Sequence, residues 1–149
     1  MTDGPLRDQR TETQHGLVLL QTAFDSERMS AVRQMLTRCL TAAGLPDQRL
    51  DDFVTAINEA MSNAVRHGGG DGELRLWRER DLVCEVWDSG PGLSETLPIP
   101  RSRPEPSAQG GMGLWLAREL TDSIDVVSDG DGVRVRMVMA FRPGPDGAG

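Results

Sequence analysis

The chain has 149 residues, 38% of them hydrophobic, enough for one domain of ordinary size with a single core and no room for a second. Its formal charge is −7, from 16 basic and 23 acidic residues, which argues against a nucleic-acid surface because phosphate backbones recruit clustered cations. Every basic residue is Arg, and the absence of Lys excludes a P-loop, which needs a Lys at the terminal phosphates.

Residues 1–15 are polar, with no apolar stretch of the signal-peptide kind, and nowhere do about 18 uncharged apolar residues follow one another. A cytoplasmic protein with no membrane segment is expected, with 1–15 as a disordered leader, a folded domain over 16–142 and a disordered tail over 143–149. Cys39 and Cys84 sit within apolar helical and strand patterns, where a free thiol behaves as a small buried hydrophobe. No disulfide is expected.

In chain order, Leu17 to Phe24 is a compact apolar run suited to a strand, and Asp25 or Ser26 is placed to cap the helix that follows. Gly44 and Pro46 should stop that helix near Ala43. Asp47 then caps a second helix, with Leu50, Phe53, Ile57, Ala60, Met61 and Ala64 at helical spacing, ending at Gly68, Gly69 and Gly70. Glu73 to Glu79 and Leu82 to Asp88 alternate in character around a tight turn near Arg80 and Asp81, as an antiparallel pair does. The stretch from Ser89 to Gln109 carries Pro91, Pro98, Pro100, Pro104 and Pro106 and no regular period. A loop of that length in a small domain is either a functional lid, here about 93–109, or disordered. A helix resumes over Met112 to Leu120, and Ile124 to Ser128 with Val133 to Phe141 make a closing hairpin around the glycines of 129–132. Interleaved strands and helices predict an α/β (α+β) two-layer sandwich, a mixed and mainly antiparallel sheet with helices on one face.

Three segments carry chemistry. On the second helix Glu59, Asn63 and His67 recur every four residues, so they share one edge, offset from the apolar stripe. The Asn63 carboxamide suits a hard cation such as Mg²⁺ that takes the rest of its shell from water and phosphates, and Glu59 is placed to take a proton. His67, at the helix end, reads more simply as a C-terminal cap. Asp88 closes a strand before Gly90 and Gly92. A carboxylate there can accept the exocyclic amine of adenine, a bond worth about 1.5–3 kcal/mol, and glycine admits close backbone approach. Gly110, Gly111 and Gly113, with Met112 and Leu114 beside them, precede and open the third helix, where unpaired N–H groups can hold phosphate oxygens. Taken singly, each segment is also an ordinary helix face, turn or hinge. In combination they describe an ATP site.

The wording INEAMSNAVRHG at 57–68, VWDSGPGL at 86–93 and QGGMGLWLARELTD at 109–122 resembles the three nucleotide-binding boxes of the GHKL (Bergerat-type) ATPase superfamily. Within it, NEAMSNAVRHG and GGMGLWLARELTD resemble the anti-sigma factor serine/threonine kinases, over about Leu17 to Phe141. The resemblance implies Glu59 as catalytic base, Asn63 as the Mg²⁺ holder, Asp88 as the adenine acceptor, and Gly90, Gly92, Gly111 and Gly113 as shapers of the pocket. It implies ATP and Mg²⁺ as cofactors, a sigma factor and a small anti-sigma factor antagonist as partners, and a homodimer. No spacing rule picks Arg101 or Arg103 of the lid to meet the terminal phosphate. Two other readings stand beside this one: a module that captures a regulator without phosphorylating it, and the ATPase part of a histidine kinase. The last is disfavoured, since His15 and His67 come with no preceding helical hairpin to carry a phospho-accepting His.

Overall fold

The computed structural model describes residues 16–67, 69–88, 112–128 and 132–142. In chain order these form β1 (Leu17–Asp25), α1 (Met29–Ala43), α2 (Asp47–His67), β2 (Asp71–Arg78), β3 (Leu82–Trp87), α3 (Met112–Leu120), β4 (Ser123–Ser128) and β5 (Val133–Met139). The leader 1–15, the tail 143–149 and the proline-rich stretch expected to be a lid lie outside the described residues.

Helix ends follow local chemistry, with two departures from the sequence reading. Asp25 does not cap α1; its carboxylate accepts the Arg28 N–H at 2.9 Å and closes a turn, so the helix starts at Met29 with no side-chain cap. Asp47 is the first helical residue of α2, not its cap: Pro46 O takes the Leu50 N–H at 2.8 Å, and the Asp47 carboxylate favours the helix's positive end. Gly44 ends α1 with φ at +93°. Its N–H reaches Thr41 O at 3.0 Å while Leu45 N–H reaches Leu40 O at 3.1 Å, a Schellman pair whose apolar member, Leu45, is buried.

The sheet order is β1-β2-β3-β5-β4, and every pairing among the described residues is antiparallel. The expectation of a mixed sheet fails for a topological reason. The crossover from β3 through α3 brings β4 back parallel to β3, but β5 sits between them, so no parallel neighbours result. Register places Leu74, Val86, Val135 and Val126 in one row across the sheet, and Leu76, Cys84, Met137 and Ile124 in the next. These rows pack against the helices, with Phe53, Ile57 and Met61 of α2 fully buried at their centre.

The opposite face reads differently because successive strand residues alternate sides. Arg75, Glu85, Arg136 and Asp125 form one cross-strand row of alternating charge. Arg75 and Arg134 both lie over the Trp87 ring, and Arg136 over Trp77. At the far end of α2, Arg49 bridges Asp122 and donates to Ala140 O at 2.8 Å, tying the helix to the end of β5. Cys39 and Cys84 are free. Burial, and then the neighbouring Glu85 charge, push the Cys84 thiol well above its ordinary value, which leaves it protonated and unreactive. Among the described residues no helix is long and apolar enough to cross a membrane.

Phe53 is fully buried at the meeting of α2 and the sheet. Phe53→Ala is expected to lower unfolding stability by about 3–5 kcal/mol in urea titration, the usual cost of removing a packed aromatic; a loss within the error of the extrapolation would contradict this packing.

Candidate functional site

Helix α2 is the long wall of the site. Burial of Leu50, Phe53, Ala56, Ile57, Ala60, Met61 and Ala64 fixes its roll, so the edge carrying Glu59, Asn63 and His67 turns away from the sheet centre. All three are half-buried. Helix α3 lies along α2 and buries Leu114 and Ala117 there.

Between these helices and the strand ends is a pocket. Asn63, His67 and Asp88 supply its polar groups; the remaining wall is Ala60, Ala64 and Leu114 with Val86, Val126, Val133 and Val135 of the sheet. Asp88, just beyond β3, is 5% exposed, the one charged residue in the buried set among the described residues. Acidic side chains are seldom buried to this extent unless they are paired or functional. Its main chain is pinned to the closing hairpin, with the Asp88 N–H donating to Val133 O at 3.2 Å.

Two glycines set the space around the two carboxylates. A Cβ on Gly132 would stand 2.3 Å from Asp88 O and 2.8 Å from Asp88 Oδ1, and its φ of +137° excludes most side chains in any case. A Cβ on Gly113 would stand 2.7 Å from Glu59 Oε1.

The sequence-derived residues therefore fall into three groups. Asn63, Asp88 and Leu114 meet in one pocket. Glu59 is absent from that pocket's lining and lies one helical turn before Asn63, against Gly113 at the start of α3. Gly90, Gly92, Gly110 and Gly111 lie outside the described residues, as does the Met112 side chain. Two residues gain a place that sequence reasoning did not give them. His67, read as a helix cap, lines the pocket, and its four-residue spacing from Asn63 was the available signal. Gly132, read only as part of a hairpin turn, abuts Asp88, a contact no local pattern reveals.

An apolar slot closed by a buried carboxylate suits a flat base with an exocyclic amine, and the start of α3 offers main-chain N–H groups to anions. Among the described residues no three acidic, His or Cys side chains gather to hold a metal, and Asn63 contributes a neutral carboxamide to the pocket lining.

Comparison with known proteins gives the family and the fold. The family described as Histidine kinase-like ATPase domain matches residues 22–139, and the chain belongs to that family, the GHKL fold. It is 30% identical over 138 residues to a protein named Serine-protein kinase RsbW from Listeria monocytogenes serotype 4a (strain HCC23), covering 84% of this chain and 87% of the relative. It is 32% identical over 104 residues to an Anti-sigma F factor from Clostridium acetobutylicum, covering 63% of this chain and 72% of that protein. Among solved structures, that of the RsbU and RsbW domains of Rv1364c from Mycobacterium tuberculosis superposes with a TM-score of 0.61 at 19% identity, covering 81% of this chain. The chain spans 31% of that longer protein, and the likeness establishes the shared fold.

Gly132→Ala should displace the Asp88 main chain, whose carbonyl oxygen is the nearest obstacle, and the carboxylate with it. ATP affinity measured by calorimetry is expected to fall about 10- to 100-fold, the equivalent of one charged hydrogen bond, and the thermal midpoint should fall with it because the strain lies in the main chain; an unchanged affinity would show that Asp88 placement does not depend on this glycine.

Proposed function

We propose that this chain is an ATP-dependent protein serine/threonine kinase that also sequesters a sigma factor and phosphorylates the small antagonist protein opposing it. The observation that carries the reading is the placement of Glu59 and Asn63 on one edge of α2, between the buried Asp88 and the first turn of α3. The names of two bacterial relatives, a serine-protein kinase and an anti-sigma F factor, support the kinase and sigma-factor parts of this reading.

Bound ATP supplies the phosphoryl group, and Mg²⁺ offsets the charge of its phosphates. The chain's own residues do the rest. Asp88 accepts the adenine amine at the closed end of the valine-lined slot. Asn63 offers a neutral carboxamide oxygen to the cation, a ligand that adds no second negative charge beside the phosphates. Main-chain N–H groups of Met112, Gly113 and Leu114, preceded by Gly110 and Gly111, face anionic oxygens at the helix's positive end. Glu59 takes the proton of the acceptor hydroxyl. In this reading Gly90 and Gly92 leave room for the base, and residues 93–109 act as the lid.

A homodimer belongs to the same reading. The helix-free side of the sheet carries the alternating row Arg75, Glu85, Arg136 and Asp125 beside Trp77 and Trp87, and a patch bearing both signs can face its own copy across a two-fold axis.

A second reading draws on the position of Glu59 outside the pocket lined by Asn63 and Asp88: the chain would bind nucleotide and capture a regulator without phosphorylating it. Glu59→Ala separates the two. With labelled ATP, Mg²⁺ and a candidate antagonist protein encoded nearby, the wild type should label a Ser or Thr and the variant should lose about 10²- to 10⁴-fold in rate with ATP affinity kept. A variant that transfers label as fast as the wild type removes Glu59 as the base; a wild type that labels no candidate while still capturing a sigma factor supports the second reading.

A further inference from the structure

Gly113 is the second residue of α3, inside a helix whose backbone angles any L-residue adopts; its φ is not among the positive ones. Glycine is the poorest helix former after proline, so backbone conformation gives no reason for it here. Space does. A Cβ built at Gly113 finds Glu59 Oε1 at 2.7 Å, Glu59 Cβ at 3.7 Å and Glu59 Cδ at 3.8 Å, the three nearest heavy atoms among the described residues outside its chain neighbours and its own helix backbone. A single side chain therefore accounts for the glycine.

We propose that Gly113 is a positioning residue for Glu59: by leaving out a Cβ it opens the niche that the Glu59 carboxylate occupies, and so fixes where that carboxylate stands relative to the first turn of α3. The role differs from that of a glycine whose N–H merely faces phosphate, since alanine keeps the same N–H. It rests on the reading of Glu59 as the proton acceptor, but the placement itself can be measured without activity. The atom that blocks a Cβ is the far end of a flexible side chain, so the carboxylate swings aside while both helices keep their places. The fold of Gly113→Ala should survive.

The test uses the whole chain and the Gly113→Ala variant, with glutamate labelled at the side-chain carboxyl carbon. In the variant the Glu59 carboxyl resonance should shift, the Asn63 backbone amide should stay in place, and the thermal midpoint should hold or rise. Transfer to a candidate antagonist should drop steeply in Gly113→Ala, and adding the same change to Glu59→Ala should cost nothing more, as expected when one residue acts only through the other. An unmoved Glu59 resonance overturns the proposal, and so does a fall in MgATP affinity with Glu59 in place, which would assign Gly113 to the phosphates. If the wild type transfers nothing, the kinase reading falls, while the carboxyl resonance still decides the placement.

Discussion

Helix α2 must satisfy two neighbours at once, and the rest of the site depends on that constraint. Phe53, Ile57 and Met61 are fully buried against the sheet, which leaves the helix a single roll angle. At 100° per residue, a turn by even one position would carry Asn63 out of the pocket and put Ser62 or Ala64 in its place. The chemistry is therefore held by the core. Ala60 and Ala64 belong to both: they are buried with the apolar stripe and also line the pocket, and their small size lets the valine rows of the sheet come close behind the site.

The two carboxylates are held by different devices. Asp88 sits where β3 ends; β5 beside it supplies a main-chain acceptor, Val133 O, and Gly132, just before that strand, leaves open space. Glu59 sits on a helix and borrows its space from a second helix, at Gly113. The Asp88 main chain thus rests on paired strands, whereas the place of the Glu59 carboxylate depends on how α3 lies along α2. That division follows from the topology, since α3 joins β3 to the edge strand β4 and packs on α2 on the way.

Much of this was legible in the sequence because the signals are local. The apolar spacing of α2, the glycine after α1 and the turn at Arg80 and Asp81 each depend on a few neighbouring residues, and the elements they define stand where they were expected. Asn63 and Asp88 could be brought together from the pattern of the three segments. What local pattern could not give was the strand order. The intervention of β5 between β3 and β4 makes the sheet wholly antiparallel among the described residues and also brings Gly132 to Asp88. Neither fact leaves a trace in spacing. Helix starts were misplaced for a smaller reason: an Asp near a helix N-terminus can close a turn, as Asp25 does, or begin the helix, as Asp47 does, and composition does not separate these from a cap.

The central claim is that an adenine nucleotide occupies the pocket between α2, α3 and the end of β3, with Asp88 reading the base. Calorimetric titration of the folded chain with ATP and, separately, GTP in the presence of Mg²⁺ tests it most directly. The account expects saturable binding of ATP and at least about tenfold weaker binding of GTP, whose carbonyl would face the Asp88 carboxylate where adenine presents an amine. Equal affinity for the two nucleotides, or no heat with millimolar ATP, would contradict it.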